Sequence, residues 1–165
     1  MYGAYGYAGE VMGREAVAQR LRPIIAGRDA EKLKPIATEL SLECRAFGVR
    51  NTGSNLQDIS VLLNWAGAFS ATAAPLARAC LAQQIHYLDI TGEIDIFRKC
   101  HALDEEARQQ NVLILPGAGT DIVPTDCLAA MLKEKLPVAT RIDLALSFGT
   151  NPIIGTVTTM IESFA

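Results

Sequence analysis

Aromatic residues make up only 6% of this 165-residue chain, and charged residues 20%. Half the residues are hydrophobic, which is enough to fill a core and argues against a disordered or fibrous chain. A basic excess is missing: 15 Lys and Arg stand against 18 Asp and Glu, for a net charge of -3. Such a chain offers no cationic stripe to a phosphodiester backbone, so no nucleic-acid partner is expected. The four cysteines, Cys44, Cys80, Cys100 and Cys127, form no CxxC pair, and His86 and His101 are not at ligand spacing. No metal site is expected, and free thiols fit a reducing cytoplasm. No apolar run approaches the roughly 18 residues of a membrane span, and no charged leader with an apolar core is read. The expectation is a cytoplasmic protein with no membrane partner.

What is present is a regular alternation. Helical patterns are read at residues 10–21, 30–40, 71–84, 95–110 and 124–136. Short apolar runs at 23–27, 42–49, 60–64, 85–89, 112–115 and 141–148 read as strands. Asp29 stands where it can cap the second helix by accepting backbone N–H groups. Strands separated by helices predict an α/β fold with a mostly parallel sheet and right-handed crossovers. A domain over residues 1–137 is expected, followed at 138–165 by the start of a second, substrate or dimerisation domain.

Three features point to chemistry. The first is Gly3-Ala4-Tyr5-Gly6-Tyr7-Ala8-Gly9, directly before a helix. A dinucleotide pyrophosphate is a dianion that needs closely approaching backbone N–H groups and a helix N-terminus. Glycine permits the turn, the approach and the packing of helix on strand. On this reading Gly3, Gly6 and Gly9 cradle the cofactor, and Tyr5 and Tyr7 pack beside it. Alone, three glycines are a weak signal; opening an α/β alternation, they are a stronger one.

The second feature is Arg28, 19 positions beyond Gly9 at a strand end. An acid at about that position binds the ribose 2′-hydroxyl of NAD, and an arginine pairs with the 2′-phosphate of NADP. NADP is therefore expected ahead of NAD; the alternative is a solvated arginine beside a helix cap. The third feature is a set of three segments at strand ends: Asn64-Trp65-Ala66-Gly67, Asp89-Ile90-Thr91-Gly92-Glu93 and Pro116 onward to Asp121. Open α/β sheets bind ligands along this edge, although ordinary βα loops need the same residue types. Asn64, Ala66 and Gly67 are expected to line the cofactor. Asp89, Glu93 and Asp121 are acid–base candidates by position alone, and no catalytic residue is assigned.

Together GAYGYAG at 3–9, AGRDAEKL at 26–33, LNWAGAFSATAAPLARACLAQQIHYLDITGE at 63–93 and PGAGTDIVPTD at 116–126 resemble the saccharopine dehydrogenase-like family of NAD(P)-binding oxidoreductases. The resemblance covers nearly the whole chain. It implies a Rossmann-like, doubly wound dinucleotide domain, hydride transfer at the nicotinamide, and a second domain that closes over a small-molecule substrate. Similar members include lysine-pathway reductases and trans-acting enoyl reductases, so no substrate follows. A Rossmann glycine turn follows a strand of several apolar residues, whereas only Met1 and Tyr2 precede Gly3 here. The expectation is a truncated member lacking its first strand and most of the substrate domain. It is either an NADP-dependent oxidoreductase or a fragment of one, or a non-catalytic NADP-binding sensor or interaction module, or a relic that binds nothing. A homodimer stays open.

Overall fold

The computed structural model describes residues 1–120 and 122–145. In chain order the elements are α1 (Tyr7–Ala18), β1 (Ile25–Gly27), α2 (Ala30–Leu40), β2 (Cys44–Ala46), a 3-10 turn (Gly53–Leu56), β3 (Val61–Asn64), α3 (Phe69–Ala82), β4 (His86–Asp89), α4 (Ile94–His101), α5 (Asp104–Gln109), β5 (Ile114–Leu115) and α6 (Val123–Lys135). The strands pair in parallel, β1 with β2, and β3 with β4 with β5.

The two strand groups are joined by one residue. Tyr2 bridges Ala26 on one side and Asn64 on the other. Its N–H donates to the Leu63 carbonyl at 2.9 Å, and its own carbonyl accepts from Trp65 N–H at 2.8 Å. On the other flank, Met1 carbonyl accepts from Ala26 N–H at 2.7 Å, and Gly3 N–H donates to Ala26 carbonyl at 2.8 Å. The order is therefore β2-β1-Tyr2-β3-β4-β5. This is the dinucleotide-binding order with Tyr2 in the place of the central strand. No element of strand length is found there, as expected. Neighbouring backbone groups are nevertheless satisfied across the gap, because a buried N–H or C=O without a partner is costly.

Two apolar clusters pack on opposite faces. Ile25, Leu33, Ile36, Ala37 and Leu42 join β1 to α2. Tyr2, Leu62, Leu76, Ala77, Cys80, Tyr87 and Ile96 join the rest of the sheet to α3 and α4. Parallel sheets are normally covered on both faces. Here Val61, Leu113 and Leu115 on the second face of the β3-β4-β5 half are exposed, and no residue of α6 is buried.

Local chemistry explains the element bounds. Helix α1 starts inside the glycine run instead of at residue 10, because extended Gly6 (φ -78°, ψ 159°) serves as its N-cap. Asp29 caps α2 as expected, accepting from Glu31 N–H at 3.1 Å and Lys32 N–H at 3.3 Å. The single helix expected over 95–110 is two. Leu103 turns into the core at the break, basic Arg98, Lys99 and His101 close α4, and acidic Asp104, Glu105 and Glu106 open α5. Both charge sets complement the helix dipoles they meet, so the break is favoured electrostatically.

The strand expected at 141–148 is not found in its described part. Residues 141–145 are exposed and have no ladder partner among the described residues, so their alternation has no sheet to act on. Its remainder, the rest of the expected second-domain start, and the candidate Asp121 lie outside the described residues.

Candidate cofactor site

The glycine run forms a turn at the point where strand order reverses. Gly3 has φ +84°, a conformation that side chains disfavour, and a Cβ there would lie 2.7 Å from Ala66 N. A Cβ on Gly9 would collide with Gly3 carbonyl and with Ala4 Cα, at 2.8 Å from the latter. Gly3 and Gly9 thus bring turn, helix and β3 loop together. Gly6 differs: it is exposed, and its Cβ would meet only Gly3 carbonyl, at 3.3 Å. The first N–H groups of α1 have no intrahelical acceptor, and no side chain caps them. An open glycine beside bare N–H donors is a cradle for a phosphate-sized anion.

Tyr5 and Tyr7 part company. Tyr7 is 70% exposed. The Tyr5 ring lies against Gly27 at the end of β1, with Lys32 Nζ 5.8 Å from its centroid. Arg28 follows Gly27; it is exposed and makes no ion pair with another described residue. Burial first, and Tyr5 second, push the Tyr2 phenol above its usual range, and the Arg28 charge offsets part of that rise. Arg14 ties α1 to α2 by donating to Glu39 Oε2 at 2.9 Å, and it holds the Glu39 carboxyl below its usual range. The helix that follows the turn is thereby tied at its surface to the helix that follows β1.

The β3 and β4 ends are organised from inside. Asn64 and Asp89 are 0% exposed. Asn64 Nδ2 donates to Tyr87 hydroxyl at 3.1 Å and to Thr72 Oγ1 at 3.2 Å. Asn64 Oδ1 accepts from Ala66 N–H at 3.0 Å. Asn64 therefore braces the loop from below, while half-buried Ala66 and exposed Gly67 form the loop's outer surface. Tyr87 hydroxyl donates to Asp89 Oδ2 at 2.8 Å. Asp89 Oδ1 accepts from Thr91 N–H and Gly117 N–H, both at 3.0 Å. Burial first, and the Asp89 charge second, push the Tyr87 phenol far above its usual range. Glu93 is half-buried at the N-cap of α4, where its N–H donates to Thr91 Oγ1 at 3.1 Å. Among the described residues no cluster of His, Cys, Asp and Glu could hold a metal ion.

The site thus brings Gly3, Gly6, Gly9, Ala66 and Gly67 to one turn, and sets Tyr5 with Arg28 beside it. It also enlists residues that the sequence did not single out: Lys32, Thr72 and Tyr87. Of these, Tyr87 had a signal, since it stands two residues before Asp89 on the same strand face.

Residues 1–115 match the saccharopine dehydrogenase NADP-binding domain family. The chain belongs to that family. The membership supports NADP as the cofactor and an oxidoreductase-like cofactor-binding role. The chain is 25% identical over 176 aligned residues to a saccharopine dehydrogenase-like oxidoreductase of Mus musculus, covering 92% of this chain and 41% of that protein. It is 28% identical over 149 residues to the protein of the same name from Rattus norvegicus, covering 76% of this chain and 35% of the relative. It therefore spans well under half the length of these relatives. Among solved structures, apo histidine-tagged saccharopine dehydrogenase (L-Glu forming) from Saccharomyces cerevisiae superposes with TM-score 0.69 at 11% identity, covering 82% of this chain and 30% of that one. That likeness shows the fold: Rossmann-like α/β with a parallel sheet.

Proposed function

We propose that this chain binds NADP(H) along the carboxyl edge of its sheet, prefers it to NAD(H) through Arg28, and is the cofactor-holding part of an oxidoreductase. The observation that carries this reading is the adjacency of two features. The uncapped α1 N-terminus and the exposed Arg28 lie at neighbouring strand ends, since Gly3 and Ala4 N–H groups both donate to Ala26 carbonyl, at 2.8 and 3.1 Å. The first suits the pyrophosphate and the second the ribose 2′-phosphate. The Tyr5 ring, against Gly27, and Lys32 beside it flank the second feature, and Ala66 and Gly67 continue the cradle toward β3. A bound nicotinamide would supply hydride to, or take it from, a small-molecule substrate. Four free cysteines, two buried and two exposed, fit a cytoplasmic setting. No described helix is long and apolar enough to cross a membrane. Self-association into a homodimer is part of this reading, since α6 exposes Leu128, Met131 and Leu132, and its C-cap Leu136 is exposed beside them in sequence.

One observation favours a second reading, a non-catalytic NADP-binding module. Asp89 is enclosed, and both its carboxylate oxygens are occupied by internal donors, so it presents no face to a substrate. Titrating the purified chain with NADPH and with NADH, followed by nicotinamide fluorescence, tests the shared premise. NADPH is expected to bind several-fold more tightly; equal affinities remove the role of Arg28, and no binding removes both readings. Turnover of carbonyl or enoyl substrates then separates the enzyme from the module.

A further inference from the structure

We propose that Tyr87 and Asp89 are positioning residues for the half of the dinucleotide site beyond Tyr2, acting through a buried relay from the Ala66 loop to the Gly117 loop. The proposal rests on the dinucleotide-binding reading above and says which part of the ligand these residues serve.

Parallel register creates the relay. Leu62 stands opposite Tyr87 and Asn64 opposite Asp89. With side chains alternating along each strand, all four project from the same sheet face. The three polar ones and Thr72 of α3 form one chain: Thr72, Asn64, Tyr87 and Asp89. Its terminal contacts are backbone groups of the loops. Thr72 Oγ1 donates to Ala66 carbonyl at 2.7 Å, and Asn64 Oδ1 takes Ala66 N–H. Asp89 Oδ1 takes Thr91 and Gly117 N–H, while Asp89 carbonyl accepts from Ala118 N–H at 2.7 Å. Three loops at the carboxyl edge are therefore held at fixed separation by one connected set of hydrogen bonds.

A purely structural role predicts something different. Apolar residues of similar volume would join the strands as well, since buried polar groups add little net stability. They would leave the loop N–H and C=O groups without directed partners. None of the relay's hydrogen bonds reaches Tyr5, Gly27, Arg28 or Lys32. In open sheets of this order the adenosine half lies over the strand following the glycine helix, here β1, and the other mononucleotide half lies across the switch point. Disturbing the relay should be felt by ligands that extend past Tyr2 and not by those confined to the β1 side.

The test uses two probes, NADPH and adenosine 2′,5′-bisphosphate, titrated calorimetrically against the full chain and its Tyr87→Phe, Thr72→Val and Thr72→Ser variants. Tyr87→Phe keeps the ring and removes the hydroxyl, leaving one of the two Asn64 Nδ2 hydrogens and Asp89 Oδ2 without a partner. NADPH affinity is expected to fall about tenfold or more, with the bisphosphate unchanged within about twofold. Thr72→Val is expected to behave likewise, and Thr72→Ser, which keeps the hydroxyl, to restore NADPH binding. The Thr72 pair decides the matter if Tyr87→Phe does not fold. Equal losses for both probes, or failure of serine to rescue, reduce the relay to a stability element and overturn the proposal. Unchanged NADPH binding in the variants overturns it too. If the unaltered chain binds neither probe, the dinucleotide reading falls first and takes the proposal with it.

Discussion

The Tyr5 ring fills the space that a side chain at Gly27 would need: a Cβ there would come 2.5 Å from Tyr5 Cε1 and 3.1 Å from Cδ1. Gly27→Ala must therefore move the ring away from β1. Because a ring can rotate where backbone cannot, the cost should be modest, about 1 kcal/mol. In a Tyr5→Ala background the same substitution should cost almost nothing. Urea denaturation of the two single variants and the double variant checks this, and strict additivity would show that the contact does not exist in solution.

Gly3 and Gly6 should fail in different ways. At Gly3, a positive φ combines with backbone of Trp65 and Ala66 that cannot yield. Gly3→Ala is expected to destabilise the fold by about 2–5 kcal/mol. Gly6 is exposed with negative φ, so Gly6→Val should keep the helical circular dichroism while a branched side chain fills the position proposed for the pyrophosphate. Loss of NADPH binding with little change in melting temperature is the expected result. A Gly6→Val protein that binds NADPH like its parent would place the phosphate site elsewhere.

Arg28→Ala should separate the two cofactors. A charge-assisted contact contributes about 1.5–3 kcal/mol, so NADPH affinity should fall roughly 10- to 150-fold. NADH, without the 2′-phosphate, should bind nearly as before. Arg28 forms no ion pair with another described residue, so the protein itself should lose no stability. Raising ionic strength should narrow the NADPH advantage in the parent and do nothing in the variant.

Much of this was legible because it is local. The Asp29 cap needs only a side-chain oxygen two or three residues before the N–H groups it takes, and that spacing is written in the chain. The glycine turn before a helix, and the place of Arg28 at the end of a strand, were readable for the same reason. The relay was not, because Asn64 meets Tyr87 through the register of two parallel strands 23 residues apart. The break between α4 and α5 had a signal, three basic residues then three acidic ones, but apolar periodicity ran across it. The role of Tyr2 was hidden for another reason. A single residue has no pattern, and its place between β1 and β3 is set entirely by its neighbours.

The last expectation concerns alkali. Cys80 and Cys100 are buried, and desolvation pushes their thiols up to about 12 and about 11; Tyr87 is pushed up further still. In the unfolded chain these groups lose protons near their ordinary values, 9.0 for the thiols and 10.0 for the phenol. Folded-state values above unfolded ones mean that protons are held more tightly by the native protein. The stability they confer is thus complete below about pH 9 and declines as pH rises toward the folded values. Each such group that ionises only on unfolding removes about 1.4 kcal/mol per pH unit once well above its unfolded value. Urea midpoints measured from pH 7 to pH 11 should be lower at the alkaline end, and Cys80→Ala should start lower but decline less steeply. The same enclosure should slow alkylation: at pH 8, iodoacetamide is expected to label exposed Cys44 and Cys127 quickly, and Cys80 and Cys100 only at the rate of unfolding. Rapid labelling of all four in the native protein would show that the core around α3 and α4 is open, and the alkaline decline would then have another source.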